Sequence, residues 1–307
     1  MADSDSDASR NENILTDSFL HLEEIDVNLY RGVNLFHPTG ARAVYGGQVV
    51  AHALRAAYTT VQSEHHAHSV HCYFLKGGSA DNPILYYVDH TREGRTYCNR
   101  NVKAIQDGAA IFTMQASFKK AETDVYTHQY SMPDVPGPEG LLSSLEIMER
   151  QLKSDNVSER RKQYLEKRLT EKVTYENRPV NEQYSSKEEP MAPFTYNWVR
   201  ALGHIGDDSR MHQCVAVYLS DSILDVAVLP GGIHGTNSRR RMFMTSLDHS
   251  VWFHNPFCID EWMLYEKESP HCGDGRAMTL GRLWKRDGTL AMSVAQEGVV
   301  RTFKSSL

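Results

Sequence analysis

The sequence is short of the features that would assign it quickly. It holds 5 cysteines in 307 residues: Cys72, Cys98, Cys214, Cys258 and Cys272. The number is odd and no two stand in Cys-x-x-Cys spacing, so neither a disulfide framework nor a thiolate zinc site is indicated, and a reducing compartment is expected. Long apolar runs are missing, and none approaches the roughly 18 residues of a membrane span. Positive charge is not in excess. Lys and Arg number 33 against 39 Asp and Glu, a net charge of -6. That argues against nucleic acid as a main partner, because phosphate neutralisation needs clustered cations. The 15 histidines show no His-Glu-x-x-His or paired-ligand spacing, so no metal is expected. A Gly-x-Ser-x-Gly elbow is absent, which argues against a serine nucleophile. The first residues, Met1 to Asp7, are polar and acidic, unlike a signal or transit peptide, and are expected to be disordered.

What is present is an internal echo. His68-Ser69-Val70 recurs as His249-Ser250-Val251, Gly94-Arg95 as Gly275-Arg276, Asp107-Gly108 as Asp287-Gly288, and Gln115 as Gln296. An offset of about 180 residues is far longer than the period of a solenoid. It points to one domain duplicated and fused, with domains at 14–120 and 191–307 and a charged helical linker at 121–190. In the first half, Gly46-Gly47-Gln48 opens a helix whose apolar face is Val50, Leu54, Ala57, Tyr58 and Val61. Strands follow at Ser69–Leu75, Pro83–Val88, Tyr97–Ile105 and Ala109–Phe118, the last two joined by an Asp107-Gly108 turn. In the second half, Trp198–Leu202 and Met211–Leu219 read as strands. Ser220-Asp221-Ser222 then opens a short helix, Ile223–Leu229, stopped by Pro230. The strand series resumes at Thr245–Phe253, Trp262–Lys267, Met278–Lys285 and Thr289–Ala295.

Several stretches carry a resemblance. Tyr45-Gly46-Gly47-Gln48-Val49-Val50, His68 to Phe74, Tyr218-Leu219-Ser220-Asp221, Ser246 to His254, and Ala295-Gln296-Glu297-Gly298-Val299 together resemble the acyl-CoA thioesterase II family, the double-hotdog thioesterases, and within it the peroxisomal animal members. The match runs from about residue 25 to residue 303 and covers nearly the whole chain. The resemblance implies an α+β double hotdog, with two antiparallel sheets each wrapped around a helix. It also implies hydrolysis of fatty acyl-CoA, extending to branched-chain, dicarboxylic or bile-acid CoA esters, to free acid and CoA. No cofactor is implied, since CoA is part of the substrate and a product.

The resemblance also implies a catalytic trio that holds the attacking water: Asp221, Ser246 and Gln296. Many family members have Thr where this chain has Ser246. The residue types suit the task. Water is a poor nucleophile that needs a base, and a hydroxyl and a carboxamide can each both donate and accept. Gly46, Gly47 and Gln48, at a helix start, are candidates for oxyanion donors. Each residue has a plainer reading: Asp221 as a helix N-cap, Ser246 as a strand hydroxyl bonded to backbone, Gln296 as an exposed strand residue. His68 and His249 are candidates for acid–base help, though their equivalent repeat positions favour a structural role, each ring bonding backbone at a strand start. His71 and His254 are read likewise as structural, and Cys72 as core. Arg239, Arg240 and Arg241 could contact CoA phosphates or form a solvated loop. The pattern predicts a first half that shares the framework but lacks the acid, with His65-His66-Ala67 opposite Ser246 and Gln115 matching Gln296.

Two alternatives stand beside hydrolysis. A hotdog enoyl-CoA hydratase would need Asp-x-x-x-x-His, but the fifth residue after Asp221 is Val226. A non-catalytic acyl-CoA binder or scaffold would be expected to have lost one of the trio. The last residues, Ser305-Ser306-Leu307, are close to the Ser-Lys-Leu address read by the peroxisomal import receptor. The peroxisomal matrix is therefore expected, with the cytoplasm as the alternative. The sequence leaves oligomeric state open.

Overall fold

The structure, a computed structural model, describes residues 15–155, 157–181, 189–232 and 241–303. In the first half, β1 (Glu23–Asp26) and β2 (Leu29–Gly32) lead into α1 (Gly46–Tyr58), followed by β3 (His66–Phe74), β4 (Ile84–Arg92), β5 (Tyr97–Gln106) and β6 (Ala109–Lys119). The connection carries α2 (Ser144–Leu152), α3 (Glu159–Leu169) and β7 (Tyr175–Pro179). The second half has β8 (Phe194–Ala201), α4 (Ser209–Ser220), a 3-10 helix (Leu224–Gly231), β9 (Arg241–Ser246), β10 (Asp248–Phe253), β11 (Met263–Gly273), β12 (Arg276–Lys285) and β13 (Leu290–Phe303).

The two expected sheets run into one another. The strand order is β1-β2-β4-β5-β6-β3-β10-β13-β12-β11-β8-β7, every neighbouring pair is antiparallel, and β9 pairs with β13 off this path. The seam is β3 against β10, where Val70 lies opposite Val251. These are the same position of the repeat, so a pseudo-twofold axis relates the halves at this pair. The strands alternate buried and outward residues, as in β5, which is what one face packed on a core requires. Asp107 and Gly108 both have positive φ, 51° and 76°, the two-residue turn that the Asp-Gly pair favours. Asp274 and Gly275 repeat it between β11 and β12, with φ of 50° and 71°.

The helices α1 and α4 pack against each other, and α1 also lies on β4, β5 and β6. They run antiparallel: Tyr45 Oη, just before α1, donates to Tyr218 O near the end of α4, while Arg210, at the start of α4, donates to Tyr58 O at the end of α1. Helix α1 is buried at every residue from Gly47 to Tyr58 except Arg55. Its alanines, Ala51, Ala53, Ala56 and Ala57, let it sit in so crowded a place.

The second half corrects the sequence at one point that matters. Met211–Leu219 is not a strand but the body of α4, capped by the Asp208 carboxylate, which accepts from Arg210 N at 3.0 Å. Asp221 therefore follows a helix rather than opening one. It is the C-cap of α4, and the N-cap reading falls. The reason is burial together with composition: Cys214 to Leu219 is a continuous apolar run with two valines and a tyrosine, whereas the equally buried α1 is rich in alanine. A helix covered on nearly all sides loses its polar stripe, and a short apolar run cannot then be told from a core strand. The 3-10 helix runs through Pro230 to Gly231 and ends at Gly232, φ 61°. The charged connection is also less solvated than its composition suggests. Trp198, Leu264 and Trp284 form a small core covered by Met132, Val135 and Leu141, and Trp198 Nε1 donates to Pro136 O at 2.7 Å.

Candidate active site

The end of α4 points at the start of α1. A helix C-terminus leaves carbonyls without partners, and a helix N-terminus leaves N–H groups. Here two phenols take the carbonyls: Tyr45 Oη donates to Tyr218 O at 2.9 Å and Tyr265 Oη to Ser220 O at 2.7 Å. Asp221 takes an N–H. Its Oδ2 accepts from Gly47 N at 2.8 Å. A carboxylate at the end of its own helix is disfavoured by that helix's dipole, and the positive end of α1 offsets this. The approach needs glycines. A Cβ on Gly46 would stand 2.8 Å from Asp221 Oδ2, and one on Gly47 would stand 2.3 Å from Tyr218 O.

The trio named from the sequence comes together here. Ser246, the last residue of β9, donates through Oγ to Asp221 Oδ1 at 3.2 Å. Gln296, on β13 and wholly buried, donates through Nε2 to Ser246 Oγ at 2.8 Å. Gln296 is thus not the exposed strand residue of the plainer reading, and Ser246 bonds a carboxylate rather than backbone. His249 lies behind them, also fully buried. Its Nδ1 contacts Gln296 Oε1 and its Nε2 lies 2.9 Å from Ser220 Oγ. Burial pushes the His249 pKa down, while the Asp221 charge and the Gln296 bond oppose this. The Asp221 charge also falls on buried neutral groups. Burial, and then Asp221, push up the Tyr45 phenol and the Cys72 thiol.

The other sequence candidates separate from this cluster. Gln48 is structural: its Oε1 accepts from Phe36 N, and its Nε2 donates to Phe19 O and Asn34 O. His68 bonds Ser117 Oγ at 2.7 Å and lies edge-on to Tyr97. Neither His68 nor His249 bonds backbone through its ring, against the expectation. His71 bonds Ser250 Oγ and His254 bonds Ser293 Oγ, both at exposed positions. Cys72 is core, with its thiol donating to His249 O at 3.1 Å. Gln115 is not the counterpart of Gln296. It pairs with His71 on the exposed face of the sheet. The residue paired with Cys98 is Phe118, as Gln296 is paired with Thr279, so buried Phe118 occupies that place. Arg239 and Arg240 lie outside the described residues, as does the C-terminal Ser305-Ser306-Leu307, and only the backbone of Arg241 is described, opposite Phe303. Sequence reasoning missed Tyr45, Tyr265 and Ser220. The one available signal was Tyr45 directly before the glycine pair.

Comparison with known proteins agrees with this architecture. The acyl-CoA thioesterase family model matches residues 161–299, and that of the acyl-CoA thioesterase N-terminal domain matches residues 36–119. The chain is 43% identical to acyl-coenzyme A thioesterase 8 of Rattus norvegicus over 98% of this chain and 95% of the rat protein. It is 33% identical to acyl-CoA thioesterase 2 of Haemophilus influenzae, over 92% of this chain and 95% of that protein. Among solved structures, the acyl-CoA thioesterase II TesB2 of Mycobacterium marinum superposes with a TM-score of 0.74 at 31% identity, covering 94% of this chain and 98% of that one. The chain belongs to the acyl-CoA thioesterase family.

Proposed function

We propose that this protein hydrolyses acyl-CoA to free acid and CoA by attack of a water held among Asp221, Ser246 and Gln296. The observation that carries this is the hydrogen-bonded run from Gln296 through Ser246 to Asp221, set where two helix ends meet. Asp221 is the base. It takes a proton as the water oxygen bonds to the thioester carbon. The carbonyl oxygen becomes an oxyanion, then re-forms the carbonyl as the C–S bond breaks, and the proton passes from Asp221 to the departing thiolate. Ser246 and Gln296 fix the water's direction. Of the three candidate donors at this helix start, Gly47 N–H is given to Asp221 and Gln48 N–H to Tyr45 O. That leaves Gly46 N–H, at the positive end of α1, to meet the oxyanion. No cofactor enters this scheme.

The finer reading extends to branched-chain, dicarboxylic and bile-acyl CoA esters and to the peroxisomal matrix, reached by an import receptor reading Ser305-Ser306-Leu307. A peroxisomal acyl-coenzyme A thioester hydrolase of Saccharomyces cerevisiae is 26% identical over 86% of this chain, which supports that location. Arg239, Arg240 and Arg241 would meet the CoA phosphates. A thiol-release assay across short, medium, long and bile-acyl substrates tests the reaction. Wild-type release that survives unchanged in a folded Asp221→Asn variant would sink the assignment. A tagged chain lacking residues 305–307 that still enters peroxisomes would sink the import route.

A further inference from the structure

His249 touches the proposed machinery and has no part in the water attack itself. We propose that it is a positioning residue: its Nδ1–H holds the Gln296 carboxamide so that Nε2, not Oε1, faces Ser246 and the reacting water. This rests on the assignment of Asp221, Ser246 and Gln296 as the trio that holds the water.

Proton counting fixes the direction of each bond. A carboxylate only accepts, so Ser246 spends its one proton on Asp221 Oδ1, 3.2 Å away. The Ser246 oxygen must then accept from Gln296, which presents Nε2 at 2.8 Å. The atom that Gln296 turns to His249 is Oε1, which only accepts, so His249 Nδ1 carries a hydrogen. Burial disfavours the charged ring, so Nε2 is bare, and the single hydrogen of Ser220 Oγ, which has Val217 O at 3.0 Å as a second acceptor, turns to Nε2 at 2.9 Å. The donors all run one way, from Ser220 through His249, Gln296 and Ser246 to Asp221. Such a chain polarises each member in turn. Reversing the carboxamide would set Oε1 against the Ser246 oxygen, two acceptors with no hydrogen between them, unless Ser246 gave up its bond to Asp221.

The fold itself does not demand this pair. Phe118 fills the equivalent place in the first half, fully buried, and His68 there bonds a serine instead. A wholly buried histidine and carboxamide in the second half are therefore tied to the site rather than to the strand pairing.

The test has two arms. Long-range 1H–15N NMR of histidine-labelled enzyme at neutral pH reads the tautomer, with His249 assigned by its loss in His249→Asn. A hydrogen on Nδ1 is expected, and a neutral ring protonated on Nε2 overturns the proposal. In the kinetic arm, His249→Asn keeps an N–H near the Nδ1 position, whereas His249→Gln keeps one only near Nε2. The expected result is kcat within about 10-fold of wild type for Asn, a fall of about 100-fold or more for Gln, and KM little changed in both. Equal losses, or a loss confined to KM, overturn it. If Asp221→Asn stays active, the site assignment itself fails. If Asp221→Asn is dead while His249→Gln turns over like His249→Asn, only the role of His249 fails.

Discussion

The two halves differ most in the passage by which the chain leaves each central helix. After α1 it reaches β3 through residues 59–65, and after α4 it reaches β10 through residues 221–247. The longer passage has Asp221 at one end and Ser246 near the other. The shorter one has neither a carboxylate beside a helix start nor a hydroxyl at the matching place. Its end is held by Arg210, which donates to Tyr58 O at 3.4 Å and His65 O at 3.1 Å and stacks on the Tyr58 ring. Helix α1 is thus met at both ends by groups from α4 and its cap: a carboxylate at its positive end, a guanidinium at its negative end. Both contacts satisfy helix termini. Only the first leaves a carboxylate beside N–H donors. Duplication gave two junctions of helix ends, and the electrostatics of α1 suit one of them to the general-base chemistry proposed for Asp221.

Substitutions at each junction separate the two roles. Asp221→Asn keeps the size of the side chain and removes the base. Its kcat is expected to fall by at least roughly 100-fold, measured as thiol release, with thermal stability nearly kept. Arg210→Met, at the opposite junction, is expected to do the reverse. It loses charge-assisted bonds to carbonyls, costing about 1–3 kcal/mol of stability, with kcat within a few-fold of wild type. If Arg210→Met abolishes turnover in folded protein, the junctions are not separate in function.

The next effect is steric. A Cβ on Gly46 would press the Asp221 carboxylate from 2.8 Å and the Phe74 ring from 3.0 Å. Gly46→Ala is expected to lower kcat by about 10-fold or more through misplacement of the base, with a modest loss of stability. Gly47→Ala meets backbone, the Tyr218 carbonyl, at 2.3 Å. Backbone yields less than a side chain, so a destabilisation of about 1–3 kcal/mol is expected as well. Urea unfolding read beside kcat separates the two. An unchanged kcat in both variants would mean that the close approach of the two helices is unimportant.

Much of this is legible in the sequence, but unevenly. The strands of the first half and the Asp107-Gly108 turn can be read because each has one buried and one exposed face, or a backbone geometry that demands glycine, and α1 because its alanines favour a helix. Helix α4 cannot, since its core, Cys214 to Leu219, is a continuous apolar run with two valines and a tyrosine, residues that suit a buried strand as well. Reading it as a strand turns Asp221 from the end of a helix into the start of one and hides why a carboxylate is tolerated there. The trio itself comes from a family resemblance, and no spacing could have brought Asp221, Ser246 and Gln296 together. The echo of Gln115 and Gln296 is real as letters but not as structure. Strand register decides which face a residue takes, and a shift of register in one hairpin relative to the other is invisible in sequence.

A smaller effect concerns pH. Each half buries a histidine whose pKa is pushed down by loss of water: His52 on α1, to about 4, and His249 on β10. His52 is neutral, with Nε2–H given to Phe19 O at 2.6 Å and Nδ1 accepting from Tyr86 Oη at 3.1 Å. Below the ordinary value near 6.5 the unfolded chain takes up protons that the fold resists, so stability falls as pH drops. For His52 the window runs from about pH 6.5 to about 4 and is worth about 3 kcal/mol over its full span. Urea midpoints at pH 7 and pH 4.5 should differ accordingly, and His52→Gln should flatten part of that slope. A slope untouched by His52→Gln would mean that the ring is already charged in the fold, or that the unfolded chain shields it.

The smallest expected effect tests the pseudo-symmetry directly. Gln115 and Gln296 occupy the same place in the written repeat, yet Gln115 sits exposed opposite His71 while Gln296 is buried against Ser246. Gln115→Ala should leave stability within about 0.5 kcal/mol of wild type, as for most surface changes, and kcat unchanged. Gln296→Ala should lose both, because it strips Ser246 and His249 of a buried partner. If Gln115→Ala slowed turnover comparably, the first half would hold working chemistry of its own. The assignment of the acid-bearing junction as the sole reacting one would then have to be given up.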